Sequence, residues 1–226
     1  MPLKITPDIH LSLERLEDRR KQLLELGATM MGAYEGAIYP VDLLAIGALK
    51  RTISTIAGFK QLVTASNMIC ARTILRTQID TAIRFYSVFI VSDPHFYSLA
   101  ILNGKQINYM KDSNGEKMRD AYLVKRISEE HSWVSNVYKN LSGYIHLSDS
   151  HIISPIEQFD DESTTISLSI QDEDAKFPES SWIEVIDCMS ESIDIFVKYL
   201  EGWIFTKDNP EAVAQFKKEM DGKPGD

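Results

Sequence analysis

The chain has 226 residues, 44% of them hydrophobic and 25% charged, with only 8 Pro and 11 Gly; this balance suits one packed core and excludes long disorder or a fibrous repeat. A net charge of −9 argues against a generally basic nucleic-acid binder. The charge is uneven, since residues 1–148 hold 18 Lys and Arg against 14 Asp and Glu, residues 149–226 hold 6 against 19, and all nine arginines fall in the first stretch. The ordinary consequence is a solvated acidic surface late in the chain; the sharper one is an acidic segment that covers or mimics an anion near arginine-bearing helices.

Met1 to Ile9 lacks the apolar run of a secretory signal, and charges interrupt every hydrophobic stretch well short of the roughly 20 residues a membrane span needs. Cys70 and Cys188, the only cysteines, sit in apolar helical patterns and read as small buried side chains rather than a disulfide. A cytoplasmic protein with no membrane partner is the expectation.

Thr6-Pro7 pairs a capping hydroxyl with proline at the first helical position, and Leu13, Leu16, Leu23, Met30 and Tyr34 then recur at helical spacing. After a break from Gly36 to Pro40, Val41 to about Val63 predicts a central helix with close neighbours at Gly47 and Ala48. A third helix runs through Met68, Ile74, Leu75, Ile79, Ile83 and Phe89 and ends near Ser92. Asp93-Pro94 starts a short helix that stops at Asn103-Gly104, and Asn114-Gly115 marks a turn. Glu116 to about Leu147 reads as helix again, either continuous or broken near His131-Ser132.

Thr165 to Ile170 alternates polar and apolar residues as a half-buried strand does, and Ile152 to Phe159 is its expected hairpin partner, confined to an edge or a bulge by Pro155. An isolated hairpin is marginal, so it is expected against the helices or a second subunit. Ser181 and Glu184 form a capping box, and Trp182, Ile186, Met189, Ile193, Phe196, Leu200 and Trp203 make a heptad-like seam, the core face of a bundle helix more often than a dimer interface. Pro210 to Met220 predicts a short amphipathic helix before a fraying tail over 221–226. The fold class is therefore all-α: a helical bundle forming a single domain over 1–226, with a hairpin insertion at 148–172, self-associating through an apolar helix face or the hairpin.

Two constellations could carry chemistry. Arg72, Arg76, Asp80 and Arg84 are spaced by four along one helix side, where forked guanidinium groups either grip a phosphate or carboxylate or form an ion-paired face from Arg76 through Asp80 to Arg84. In the segment from Tyr138 to His146, helical spacing aligns Tyr138, Ser142 and His146, with Asn140, Tyr144 and Ser148 beside them. An imidazole so placed serves as general acid or base if it lines a cleft, and otherwise as a hydrogen-bonding group of the bundle. His146, Asp149 and His151 invite a metal reading, but they fall where helix gives way to loop and have no fourth ligand nearby, so neither metal nor cofactor is expected. The chain has no P-loop, dinucleotide glycine pattern, Gly-x-Ser-x-Gly elbow or Cys-x-x-Cys knuckle.

The helix Ala71-Arg72-Thr73-Ile74-Leu75-Arg76-Thr77-Gln78-Ile79-Asp80, taken with Tyr138-Lys139-Asn140-Leu141-Ser142-Gly143-Tyr144-Ile145-His146-Leu147-Ser148, resembles uncharacterised bacterial helical families related to the HEPN superfamily, over about residues 60–150. That resemblance implies a small helical bundle, commonly dimeric, and in many members a metal-independent ribonuclease whose catalytic motif sets an arginine a few residues ahead of a histidine. His146 matches the histidine, whereas Lys139 and Asn140 stand where the arginine would be. The implied catalytic set is His146, Asn140 and Lys139, with Arg72, Arg76 and Arg84 holding phosphate and Tyr138, Ser142 and Tyr144 supporting them. Lysine supplies charge without the planar fork of arginine. Two function classes therefore remain: RNA or nucleotide binding or cleavage in a helix-borne polar cleft, and a non-catalytic module that holds a protein partner through its acidic second part.

Overall fold

The computed structural model describes residues 5–161, 163–174 and 176–211. Its elements are α1 (Pro7–Gly32), α2 (Pro40–Thr64), α3 (Met68–Tyr86), α4 (Pro94–Leu102), α5 (Asp120–Ser128), α6 (Trp133–Ser142), α7 (Asp149–Ile153), β1 (Ile156–Asp160), β2 (Thr165–Leu168) and α8 (Glu179–Asp208). The result is an all-α bundle with one small antiparallel hairpin.

Local chemistry sets the starts of the first four helices. The Thr6 hydroxyl accepts from the Ile9 N–H at 3.3 Å, the Asn67 side chain from Cys70 at 2.9 Å, and Asp93 from Phe96 at 2.9 Å. Each supplies an acceptor to an amide that has no partner within its helix. Pro7, Pro40 and Pro94 occupy first helical positions, where no N–H is needed. Gly104 and Gly115 adopt φ of +85° and +83°, the left-handed conformation that ends α4 and closes the turn before α5.

α3 and α8 form the central pair; α2 packs on α3, α1 on α8 and α2, α4 on α2, and α5 and α6 on α3. The heptad-like seam of α8 is the core face, with Trp182, Ile186, Met189, Ile193, Phe196 and Leu200 fully buried and Trp203 nearly so. Against it lie Ile9, Leu16, Leu23 and Met30 of α1 and Leu75, Ile79 and Phe85 of α3. Gln78, fully buried in this core, is paired on both sides. The Gln78 amide donates to Thr52 Oγ1 at 3.2 Å and accepts from Thr55 Oγ1 at 2.8 Å, which ties α3 to α2.

Several expectations need correction. The stretch after Asn114-Gly115 takes the broken alternative, interrupted at 129–132 as expected near His131-Ser132, but begins at Asp120 rather than Glu116, because Lys117 first bridges to Lys111. α6 stops at Ser142, so Tyr144 to Leu147 are not helical. α8 starts at Glu179 behind Pro178, two residues ahead of the capping box expected at Ser181. Gly47 is exposed, with open space where a Cβ would project, rather than closely packed. Cys70 is exposed and Cys188 only partly buried, both as free thiols.

The hairpin pairs Phe159 with Ile166 and Asp160 with Thr165, with an irregularity between Ile156 and Gln158. Its strand is not half-buried as the alternation suggested: every residue of β2 is exposed. The bundle holds the segment behind it instead. The Asp174 N–H donates to Ser66 O at 2.7 Å, and the Asp174 carboxylate accepts from the Ile69 N–H at 3.1 Å in the first turn of α3. The helix expected from Pro210 to Met220 and the tail over 221–226 extend beyond the described residues.

Candidate polar grooves around α3

The four-residue spacing of the α3 arginines survives folding, but neighbouring helices divide the face they share. Arg72 meets the end of α6 and the segment before α8. Its guanidinium carbon sits 4.8 Å from the centroid of the Tyr144 ring and 5.0 Å from that of Phe177, and it donates to the Tyr144 hydroxyl. Thr73 Oγ1 donates to the Tyr144 carbonyl at 3.1 Å, which fixes the turn that carries this ring. Arg72, Asn140, Tyr144, Glu184 and Cys188 line a cleft of about 350 Å³ between α3, α6 and α8.

One turn on, Arg76 stacks on Tyr138, with 3.4 Å from guanidinium carbon to ring centroid. Its nearest carboxylate oxygen, Asp80 Oδ1, lies 3.8 Å away, outside hydrogen-bond range. The other Asp80 oxygen is taken by Arg84 Nε at 2.8 Å, and Arg84 Nη2 reaches Asp120 Oδ1 at 2.7 Å. Arg76 Nε and the Tyr138 hydroxyl are both buried without a hydrogen-bond partner among the described residues. Burial pushes the Tyr138 phenol up to about 12, with the Arg76 charge pulling the other way. Burial also works against the Arg84 charge, yet the bond to Asp80 and the fields of Asp80 and Asp120 raise its pKa.

Arg76, Tyr138, Lys139 and Ser142 converge on a wider groove of about 740 Å³ between α3, α5 and α6. α5 and α6 bring Asp120, Lys125, Ser128, Glu129 and Ser135 to the same groove. Sequence reasoning did not single these out, because nothing along the chain marks which face of α5 turns toward α3. Phe177, the second ring on Arg72, was missed for the same reason.

His146 lines neither groove. It is exposed on the bend after α6, because the helix that would align it with Tyr138 and Ser142 has ended. The histidine that meets this region is His151, whose ring stands edge-on to Tyr144 at 5.8 Å. Arg84 is held by its two carboxylates beyond the Arg76 groove. Among the described residues no group of three or more His, Cys, Asp or Glu side chains could hold a metal ion, and no helix is long and apolar enough to cross a membrane.

No family model, curated protein or solved structure matches this chain. Any functional reading therefore rests on the grooves themselves. The Arg76 groove offers three cations, Arg76, Lys125 and Lys139, against Asp120 and Glu129, with serine hydroxyls between them. Such a lining suits a compact anion with several acceptor oxygens.

Proposed function

We propose that this HEPN-like chain binds the phosphate of an RNA or nucleotide in the groove between α3, α5 and α6. One observation carries the reading. Arg76 is held over the Tyr138 ring, yet among the described residues its Nε and the Tyr138 hydroxyl lack hydrogen-bond partners and its nearest carboxylate is 3.8 Å away. A buried donor left unpaired costs about 1–3 kcal/mol, and the Arg76 side chain, 14% exposed, brings the same guanidinium to the groove, where its outer nitrogens meet a phosphate oxygen. Lys125 and Lys139 add charge at the rim, and Ser135 and Ser142 add hydroxyl donors. Holding a phosphate fits this lining better than cleaving one, since the groove presents no imidazole and His146 stands outside it.

The test is fluorescence anisotropy with a short 5′-labelled RNA and with a nucleoside triphosphate across a salt series, with gel analysis for cleavage. Arg76→Gln should weaken binding at least about tenfold, and added salt should weaken it further. His146→Ala should leave binding unchanged. No binding at low salt, or equal binding by Arg76→Gln, refutes the proposal, and cleavage lost in His146→Ala would restore the ribonuclease reading.

A second reading, a non-catalytic module that holds a protein partner or a second copy of this chain, draws on the hairpin. Phe159, Ile166, Leu168 and Ile170 are 57%, 53%, 61% and 93% exposed, an apolar surface of the kind that marks interaction sites. Light scattering of the parent and of Ile166→Ser/Ile170→Ser tests self-association, which the double variant should abolish.

A further inference from the structure

Between α2, α3 and α4 lies a recess of about 260 Å³ that plays no part in the phosphate groove. Its walls are Leu43, Leu44 and Ala48 of α2, Phe85 of α3, Leu102 at the end of α4, and Ile107. Gly47 opens it. That glycine lies in the interior of α2, where glycine weakens a helix relative to alanine, and a Cβ placed on it would meet nothing within 4 Å. Packing within the chain therefore does not require a glycine there, and the space it leaves belongs to the recess.

One turn further along the same stripe, Arg51 stands exposed at the recess. The other polar groups of the lining are already engaged. Arg84 is bound to Asp80 and Asp120, and the Thr81 hydroxyl donates to the Thr77 carbonyl at 2.9 Å. Arg51 has no hydrogen bond or ion pair among the described residues. The recess thus combines an apolar interior, whose polar groups are spent, with one uncommitted cation.

We propose that this recess binds a small amphipathic carboxylate, its apolar part beside Gly47 and Phe85 and its anionic head on Arg51. The size fits. A dry cavity of about 150 Å³ accepts benzene, so this volume takes a substituted ring or an acyl chain of about eight carbons. The charge order fits as well, since a cationic head would meet Arg51 and a neutral one would leave it unpaired.

The test is methyl NMR of the full chain titrated with sub-micellar octanoate and, separately, with octan-1-ol. Octanoate should shift the methyl signals of Leu43, Leu44, Leu102 and Ile107 saturably. Arg51→Gln, at an exposed position that does not threaten folding, should weaken octanoate about tenfold while leaving octanol unchanged. Gly47→Leu should fill the recess and abolish both titrations while the protein melts no lower than the parent. The proposal is overturned if octanoate produces no saturable shift, if Arg51→Gln binds it as the parent does, or if Gly47→Leu leaves binding intact. It is also overturned if these methyls shift on concentrating the protein alone, because a second copy of the chain would then occupy the recess.

Discussion

Replacing Asp42 by alanine should be among the most damaging single changes in this chain. Asp42 and Lys207 form an ion pair at 3.1 Å with both side chains fully shielded from solvent. The same carboxylate accepts from the Trp203 indole N–H at 2.7 Å and from the Tyr39 N–H at 2.8 Å, and Lys207 also donates to the Met30 carbonyl at 2.8 Å. One group therefore joins the end of α1, the start of α2 and the end of α8. Removing it strands a buried ammonium, which costs about 3–5 kcal/mol, and loss of the bond at the start of α2 adds up to about 1 kcal/mol. Against a total stability of about 5–15 kcal/mol this is a large fraction. For a chain of this length it corresponds to a fall in Tm of about 6–24 °C. Urea unfolding, followed by tryptophan fluorescence and circular dichroism, gives the free energy by linear extrapolation. Asp42→Ala/Lys207→Met, which strands no charge, should be less destabilised than Asp42→Ala alone. A loss below about 1 kcal/mol in Asp42→Ala, or a double variant worse than the single, would refute the reasoning.

Glu17 and the cysteines give two further tests. Hydrogen bonds from Arg20 and Lys60, each at 2.6 Å, hold the Glu17 carboxyl down to about 2. Because the folded value lies below the unfolded one, its contribution is complete above about pH 4.5 and fades as pH falls toward 2. Glu17→Gln should flatten the stability curve across that window, by less than about 1 kcal/mol for so solvated a cluster; an unchanged curve counts against the assignment. Burial pushes the Cys188 thiol up to about 11, which leaves only about 0.1% thiolate at pH 8. A thiol reagent at pH 8 should therefore modify exposed Cys70 well before Cys188, as read by peptide mass mapping of single-cysteine variants, and equal rates would contradict that burial.

Much of the bundle was legible because its signals are local. Thr6-Pro7 and Asp93-Pro94 mark helix starts through chemistry contained within one turn, and the apolar spacing of α8 needs only a neighbour on one side to become a core face. Where competing signals met, the sequence was ambiguous. Ser181 and Glu184 form a plausible cap, but Pro178 supplies an earlier start at a position that needs no amide. The alternation of β2 indicates a strand correctly, while the burial inferred from it depends on a surface that the bundle does not supply.

The site was less legible, and the reason is geometric. Spacing by four places Arg72, Arg76 and Arg84 on one helix side, but says nothing about what packs there. α6, the segment before α8, and α5 each claim one arginine: Tyr144 and Phe177 take Arg72, Tyr138 takes Arg76, and Asp120 takes Arg84 with Asp80. A stripe that reads as one anion site therefore becomes three environments of different chemistry. The ion-paired face expected as the ordinary outcome holds fully only for Arg84. At Arg76 the pairing is incomplete, because Asp80 gives its good hydrogen bond to Arg84 and leaves Arg76 with a ring below it and no carboxylate within bonding distance. That competition for a single aspartate, rather than the count of arginines, singles out Arg76 as the cation with bonding capacity to spare.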